Sequence, residues 1–144
     1  MTEIRDLTEP YVAECAQIDA AVFPESPWGE ESFSGNVKNP FDFPVAAFTD
    51  GKMTGYGILR LLDDGEILLV GVEPGERRKG TGGKILDALL RKAPSGTKIF
   101  LEVRDSNTAA RKLYESRGFR EISRRKKYYR DPEEDAVIMM VENA

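Results

Sequence analysis

The spacing of apolar and polar positions changes period several times along the chain, and each change predicts an element. Thr2–Leu7 (TEIRDL) alternates weakly, as a short strand does. Pro10, after Thr8 and Glu9, opens a predicted helix with Tyr11, Cys15, Ile18 and Val22 on a loose apolar face. The two prolines of FPESPWGEESF interrupt it, and a second helix is predicted over Glu30–Val37, stopping near Asn39–Pro40. Residues 43–62 (FPVAAFTDGKMTGYGILRLL) read as two strands joined at Asp50-Gly51, a strong hairpin signal. After the DDGE turn, Ile67–Val72 (ILLVGV) is continuously apolar and suits a buried central strand.

In the second half, Thr81–Lys92 predicts a helix with Ile85, Leu86, Leu89 and Leu90 along one side, ended by Pro94-Ser95-Gly96. Lys98–Val103 (KIFLEV) is a strand, followed by RDSN and a helix over Thr108–Arg117 that Gly118 stops. Phe119–Ile122 and Lys126–Arg130 read as one interrupted strand, and Ala136–Val141 as the last, with DPEED between them. The order β-α-α-β-β-β-α-β-α-β-β predicts an α/β chain with a mixed sheet and helices on its faces. No repeat, low-complexity tract or linker divides the 144 residues, so one domain over 1–144 is expected.

Composition narrows the chemistry. Hydrophobic residues at 40% and charged residues at 32% are an ordinary globular balance. A net charge of −4 gives no general reason to expect a nucleic-acid partner. Cations nevertheless cluster at Arg77–Lys79 and Arg124–Lys127, which keeps a local anionic ligand in view. Histidine is absent, which excludes Ser–His–Asp and Cys–His catalysis and every His-ligated zinc site within this chain; no metal is expected. Cys15 is the only cysteine, so an intramolecular disulfide is impossible; its place on an amphipathic helix reads as core rather than nucleophile. No apolar run is long enough for a membrane span, and Arg5 and Asp6 come too early for a signal peptide, so a cytoplasmic protein without a membrane partner is expected.

The stretch VEPGERRKGTGGKILDALL (Val72–Leu90) sets four glycines and three consecutive cations around the start of the third predicted helix. A helix's first turn carries free N–H groups and partial positive charge, and glycine lets a ligand approach the backbone closely. An anion, most simply a phosphate, fits such a place. The P-loop pattern fails, because Thr81 stands where its lysine is required after Gly75-x-x-x-x-Gly80. The dinucleotide pattern fails too, because Ile85 stands at its third glycine. What remains is Arg77-Arg78-Lys79-Gly80-Thr81-Gly82 between a strand and a helix, readable as a phosphate cradle or as a solvated helix cap.

At this point the sequence resembles the GNAT superfamily of N-acetyltransferases, whose acetyl-CoA motif is [Gln/Arg]-x-x-Gly-x-[Gly/Ala]. The strand ending VGVEP and Ser106–Phe119 (SNTAARKLYESRGF) also resemble the family's preceding strand and its later Asn-x-x-Ala-x-x-Leu-Tyr-x-x-x-Gly-Phe signature. The FPESPW, YY and EDAVIMMV segments are similar to the RimI-type ribosomal-protein-alanine N-acetyltransferases. The resemblance implies an acyl-CoA N-acyltransferase fold with a mostly antiparallel central sheet and helices on both faces. It implies acetyl-CoA as cofactor, held by Val70 and Val72 of the strand, by Arg77, Arg78, Lys79, Gly80, Thr81, Gly82, Gly83 and Lys84 of the loop and helix, and by Asn107. It also implies acetylation of a protein N-terminus, the alanine of small-subunit ribosomal protein eighteen, by a monomer or weak dimer. One departure is Gly83, where many relatives carry a cation; Lys84 follows it, and Arg78 and Lys79 can compensate.

Acetyl transfer from a thioester to an amine needs a neutral amine, a stabilised oxyanion and a proton for the leaving thiolate. An α-amino group titrates near ~7.7–8.0, so at neutral pH a proton has to be removed first. In KIFLEV, Ile99, Leu101 and Val103 share one face and Phe100, Glu102 and Arg104 the other. By the residues alone Glu102 is either a carboxylate in a cleft or one half of an ion pair with Arg104 or another basic neighbour; the resemblance implies the general base. Tyr114, seven residues after Asn107 and so on the same helix side, is either a core aromatic beside Leu113 and Phe119 or, by resemblance, the general acid. Asn107 caps its helix unless Ser106 does. The resemblance puts the oxyanion's backbone N–H near Val72, and Trp28, Tyr128, Tyr129 and Asp135 along the acceptor peptide; a plain edge hairpin with solvated charges is the other reading of the last three. Two further readings of the whole chain stay open: acetylation of a small amine such as a polyamine, amino acid or aminoglycoside, and a non-catalytic acyl-CoA-binding module.

Overall fold

The computed structural model describes residues 1–130 and 132–144, so the first residue of the DPEED turn lies outside the described residues. Strand β1 (Thr2–Asp6) leads through a 3-10 turn at Glu9–Tyr11 into α1 (Val12–Val22) and α2 (Gly29–Lys38). Three strands follow: β2 (Asp42–Thr49), β3 (Lys52–Leu61) and β4 (Gly65–Val72). After a second 3-10 turn come α3 (Thr81–Lys92), β5 (Lys98–Arg104), α4 (Thr108–Glu115), β6 (Arg120–Tyr129) and β7 (Glu134–Glu142). Among the described residues no helix is long and apolar enough to cross a membrane.

The strands form one seven-stranded sheet in the order β1-β2-β3-β4-β5-β7-β6. Every neighbouring pair is antiparallel except β4 and β5. Those two run parallel and pair only through Gly65↔Ile99 and Glu66↔Phe100. Helices cover both faces. On one, α3 and α4 bury Ile85, Leu86, Leu89 and Tyr114 against Val45, Ala47, Leu59, Ile99 and Val137. On the other, α1 and α2 bury Cys15, Ile18 and Phe33 against Ala46, Phe48, Tyr56 and Ile58. Successive residues of β2 therefore feed opposite cores, because side chains alternate across a strand.

Local chemistry accounts for most boundaries. Asp50 and Gly51 have φ of 52° and 83°, the left-handed pair that a two-residue hairpin between Thr49 and Lys52 requires. Helix α3 has the predicted ends, and its apolar side is the one that meets the sheet. Helix α4 ends at Glu115, two residues before the predicted Arg117; Gly118 with φ of 90° then turns the chain into β6. The interrupted strand after it is one strand, β6, whose register against β7 shifts between Glu121 and Ser123 and again between Arg125 and Tyr129.

One expectation needs correction. Ile67–Val72 is central in the sheet, but Leu68, Leu69 and Val70 are only half-buried. The register Ile58↔Leu69 and Leu59↔Ile67 leaves Leu68 as an extra residue. Such a bulge bends the strand and increases its twist. From Ile67 onward β4 has no pairing with β5, and the sheet opens between them.

Candidate active site

That opening is a cleft of about 360 Å³. Residues 66–70 of β4 form one wall, and Glu102, Val103 and Arg104 of β5 the other. Asn107, Ala110 and Tyr114 enter from α4, Tyr128 and Tyr129 from β6, and Phe23, Ser26 and Trp28 from the segment between α1 and α2. Most of the residues expected at the acceptor and catalytic positions thus converge on one feature of the sheet.

Glu102 lies on the cleft face of β5, as the alternation predicts, with Ile99, Leu101 and Val103 buried behind it. Enclosure in an apolar surrounding is not what it finds. Its side chain is 27% exposed, because the splayed strands leave that side open. The basic neighbour is Arg125 of β6, whose Nε stands 3.7 Å from Glu102 Oε1, an ion-pair separation too long for a hydrogen bond. Arg104 is engaged elsewhere: it donates to the carbonyl oxygens of Arg130 and Pro132 and to Glu134, and lies 4.4 Å from the Tyr129 ring centre.

Tyr114 is both a core aromatic and a cleft residue. It is buried, packs edge-on against Phe119 at 5.7 Å, and lines the cleft. Burial, with the nearby Tyr129 adding to it, pushes its phenol well above the ordinary range, so it carries its proton at every working pH. Asn107 caps α4 through Oδ1, which accepts from the Ala110 N–H at 3.2 Å. Its Nδ2 donates to none of the described residues, so capping leaves a free donor on a residue that lines the cleft.

At the acceptor side, Tyr128 and Tyr129 stand edge-on at 5.2 Å, and burial raises the Tyr129 phenol to about 12. The ring of Trp28 leans on Phe33 at 5.6 Å. Asp135 is the exception among the expected residues: it does not line the cleft. Its carboxylate accepts the Lys127 N–H at 3.0 Å and its carbonyl the Asp105 N–H at 3.2 Å, so it staples the β6–β7 hairpin to the end of β5.

The glycine loop has the conformation its composition asks for. Arg78 and Gly80 are both left-handed, at φ of 65° and 81°, and Arg77, Arg78, Lys79 and Gly80 are exposed. Gly80 precedes α3 with no side-chain cap, and the Lys84 N–H closes on the Gly80 carbonyl at 3.1 Å. The amides of Thr81, Gly82 and Gly83 are therefore first-turn donors without a capping side chain. Val70 lines the cleft, while Val72 turns inward toward Gly82 and pairs with Gly55. At position 83 there is no room for a side chain. Arg117 Nη2 lies 2.5 Å from where a Gly83 Cβ would stand, and Asp87 holds the guanidinium through two bonds of 3.0 Å. An uncapped, glycine-lined helix start beside a strand edge without a partner fits the diphosphate and pantetheine of acetyl-CoA.

Sequence reasoning passed over Arg125, the Leu68 bulge, and Asp19 with Tyr56. Asp19 could have been found: it lies four residues after Cys15, on the face that Ile18 and Val22 make apolar.

Residues 4–119 match the Acetyltransferase (GNAT) family. The chain is 35% identical over 139 residues to the N-alpha-acetyltransferase RimI of Mycobacterium tuberculosis, a match spanning 92% of this chain and 87% of that one. It is 38% identical over 120 residues to the ribosomal protein bS18-alanine N-acetyltransferase of Escherichia coli, covering 78% and 79% of the two chains. The crystal structure of the ribosomal-protein-S18-alanine N-acetyltransferase from Escherichia coli matches the whole fold, with a TM-score of 0.87 at 31% identity over 100% of this chain and 95% of that one.

Proposed function

The chain belongs to the acetyltransferase (GNAT) family and is an acetyl-CoA-dependent N-acetyltransferase, and from that premise we propose that it acetylates the N-terminal α-amine of a protein in the cytoplasm, the alanine of small-subunit ribosomal protein S18. The observation that carries this reading is the meeting of Glu102, Tyr114 and the Tyr128–Tyr129 pair on the single cleft where β4 and β5 part. The names of the similar proteins supply the acceptor.

Acetyl-CoA supplies the acetyl group as an activated thioester. First-turn amides of α3 hold the diphosphate, helped by Arg77, Arg78, Lys79 and Lys84. Backbone groups of β4 near Val70 and Val72, together with Asn107 Nδ2, align the pantetheine, and a β4 N–H in the same stretch faces the developing oxyanion. Glu102 accepts the proton that the amine must lose, since its loose contact with Arg125 leaves a carboxylate oxygen available to an incoming ammonium. With acetyl-CoA bound, the amine nitrogen would bond to the acetyl carbon as the carbon–sulfur bond breaks; Tyr114 would give its hydroxyl proton to the leaving sulfur, and the second proton that the nitrogen sheds on becoming an amide would restore the Tyr114 hydroxyl. Trp28, Tyr128 and Tyr129 flank the acceptor peptide, and Asp135 acts by bracing the hairpin that carries the tyrosines.

The test is incubation with acetyl-CoA and a peptide beginning with Ala, against spermidine and free lysine, with mass-spectrometric location of the acetyl group. Acetyl on the peptide α-amine, lost in Glu102→Gln and Tyr114→Phe, is the expected result. Turnover of spermidine alone refutes the proposal.

A further inference from the structure

Asp19 is completely buried, and neither of its carboxyl oxygens meets a cation among the described residues. Burying a carboxyl group is costly unless each oxygen receives a hydrogen bond. Here each receives one. The Tyr56 hydroxyl donates to Oδ1, and the Trp28 backbone N–H donates to Oδ2 at 2.7 Å. A core at this point of α1 needs no acid; an apolar residue would continue the face made by Cys15 and Ile18. The acid is explained by what its contacts hold.

The chain between α1 and α2 is an irregular segment, and it supplies Phe23, Ser26 and Trp28 to the cleft. Both ends of that segment are tied to the same residue. The Phe23 N–H donates to the Asp19 carbonyl at 2.8 Å, closing the end of α1, and the Trp28 N–H donates to the Asp19 carboxylate. Within the segment the described backbone bond is Ser26 N–H to the Phe23 carbonyl at 3.2 Å. The third tie reaches the sheet. Tyr56 of β3 anchors Asp19 from below, and its ring and hydroxyl fill the space where a Gly71 Cβ would project from β4. The Phe33 ring, edge-on to Tyr56 at 5.5 Å and beside Trp28, makes the same connection through packing.

Resting on the reading that the cleft takes a protein N-terminus, we infer that Asp19 is a positioning residue for the acceptor: it clamps both ends of the segment 23–28 and so fixes the Trp28 wall of the acceptor channel relative to β4. Asp19 is completely buried and does not line the cleft. Its removal therefore acts on the acceptor through Trp28 and leaves cofactor binding alone.

Trp28 is the only tryptophan, so intrinsic fluorescence reports on this wall directly. In Asp19→Ala no side-chain acceptor remains for the Trp28 N–H or for the Tyr56 hydroxyl. Expected are a red-shifted, more easily quenched Trp28 emission, an acceptor-peptide KM raised about tenfold, the loss associated with one charge-assisted bond, and a calorimetric Kd for CoA like that of the unaltered protein. Tyr56→Phe is the control for stability. It keeps the Trp28 clamp, so it melts lower while emission and acceptor KM stay close to those of the unaltered protein. A second measurement needs no variant: acceptor peptide titrated into the CoA-bound unaltered protein shifts Trp28 emission. Unchanged KM and emission in Asp19→Ala, equal KM changes in the two variants, or no emission shift on titration each overturn the inference. A protein that acetylates no peptide overturns the functional reading as well, whereas normal peptide acetylation with any of those results overturns this inference alone.

Discussion

Replacing Gly82 by valine separates a phosphate cradle from a plain helix cap. A Cβ at position 82 stands 3.1 Å from Leu113 Cδ2 and 3.7 Å from Val72 Cγ2. The first distance is tighter than ordinary contact, so Leu113 has to yield by a few tenths of an ångström even for alanine. Valine adds two further carbons, and overpacking of this kind costs about 1–3 kcal/mol. In a chain of 144 residues that lowers Tm by about 3–12 °C. The local result matters more. The first turn of α3 is pushed off α4, and its amides lose their aim. One charge-assisted bond to a phosphate is worth about 1.5–3 kcal/mol, so CoA affinity falls by about 10–150-fold. Calorimetric titration of CoA reads this directly, and melting with and without CoA checks it. Ligand at one hundred times Kd stabilises a protein by ~2.7 kcal/mol, of which the variant keeps only about 0.3–1.4 kcal/mol at the same CoA concentration. A variant that melts lower but keeps the Kd of the unaltered protein within about twofold, less than ~0.5 kcal/mol, refutes the assignment of the diphosphate to this turn.

Tyr114→Phe keeps the ring packed on Phe119 and removes only the proton donor, so kcat falls by about 10²-fold or more with Tm nearly unchanged; a steady-state assay beside a melting curve checks both. Glu102→Gln slows peptide acetylation at neutral pH, and raising the pH recovers part of the rate by deprotonating the amine in solution; a pH–rate profile parallel to that of the unaltered enzyme contradicts the base assignment. Burial acts to raise the Asp42 carboxyl, but hydrogen bonds from Arg60 at 2.7 and 3.0 Å and from Asn36 at 2.9 Å outweigh it and hold the group below its usual value. A depressed folded value stabilises above the ordinary aspartate range near ~3.9 and is lost as pH falls through the folded value, so acid unfolding followed by circular dichroism is less steep below about pH 4 in Asp42→Asn. Gly118→Ala forces a side chain into φ of 90° with its Cβ 3.4 Å from Val141, which costs about 1 kcal/mol or more and shows as a lower Tm.

The parts of the fold that were legible in the sequence are those decided within a few residues. Asp50-Gly51 dictates a turn by its own backbone preferences, and the apolar period of Thr81–Lys92 gives both the ends of α3 and its buried side. Alternation in KIFLEV put Glu102 on the correct face. The cleft itself was not legible, because it depends on a missing partner: Leu68 looks like any apolar strand residue until the register against β3 makes it the extra one. The surroundings of Glu102 follow from that, since a strand with its neighbour splayed away leaves its acid partly wet. Arg125 was hidden in a run of cations and reaches Glu102 only because β6 lies beside β7 and β7 beside β5. The place of Asp135 was not legible either, because its Oδ1 accepts the Lys127 N–H within the β6–β7 hairpin, a contact that depends on how that hairpin folds.

The most direct test of the account is a crystal structure with CoA and an Ala-initiated peptide bound. The account predicts the diphosphate on the amides of Thr81, Gly82 and Gly83, the pantetheine between the parted strands beside Val70, and the peptide amine between Glu102 and the CoA sulfur. A CoA molecule lodged away from the first turn of α3, or a Glu102 carboxylate turned from the sulfur and still paired with Arg125, contradicts it.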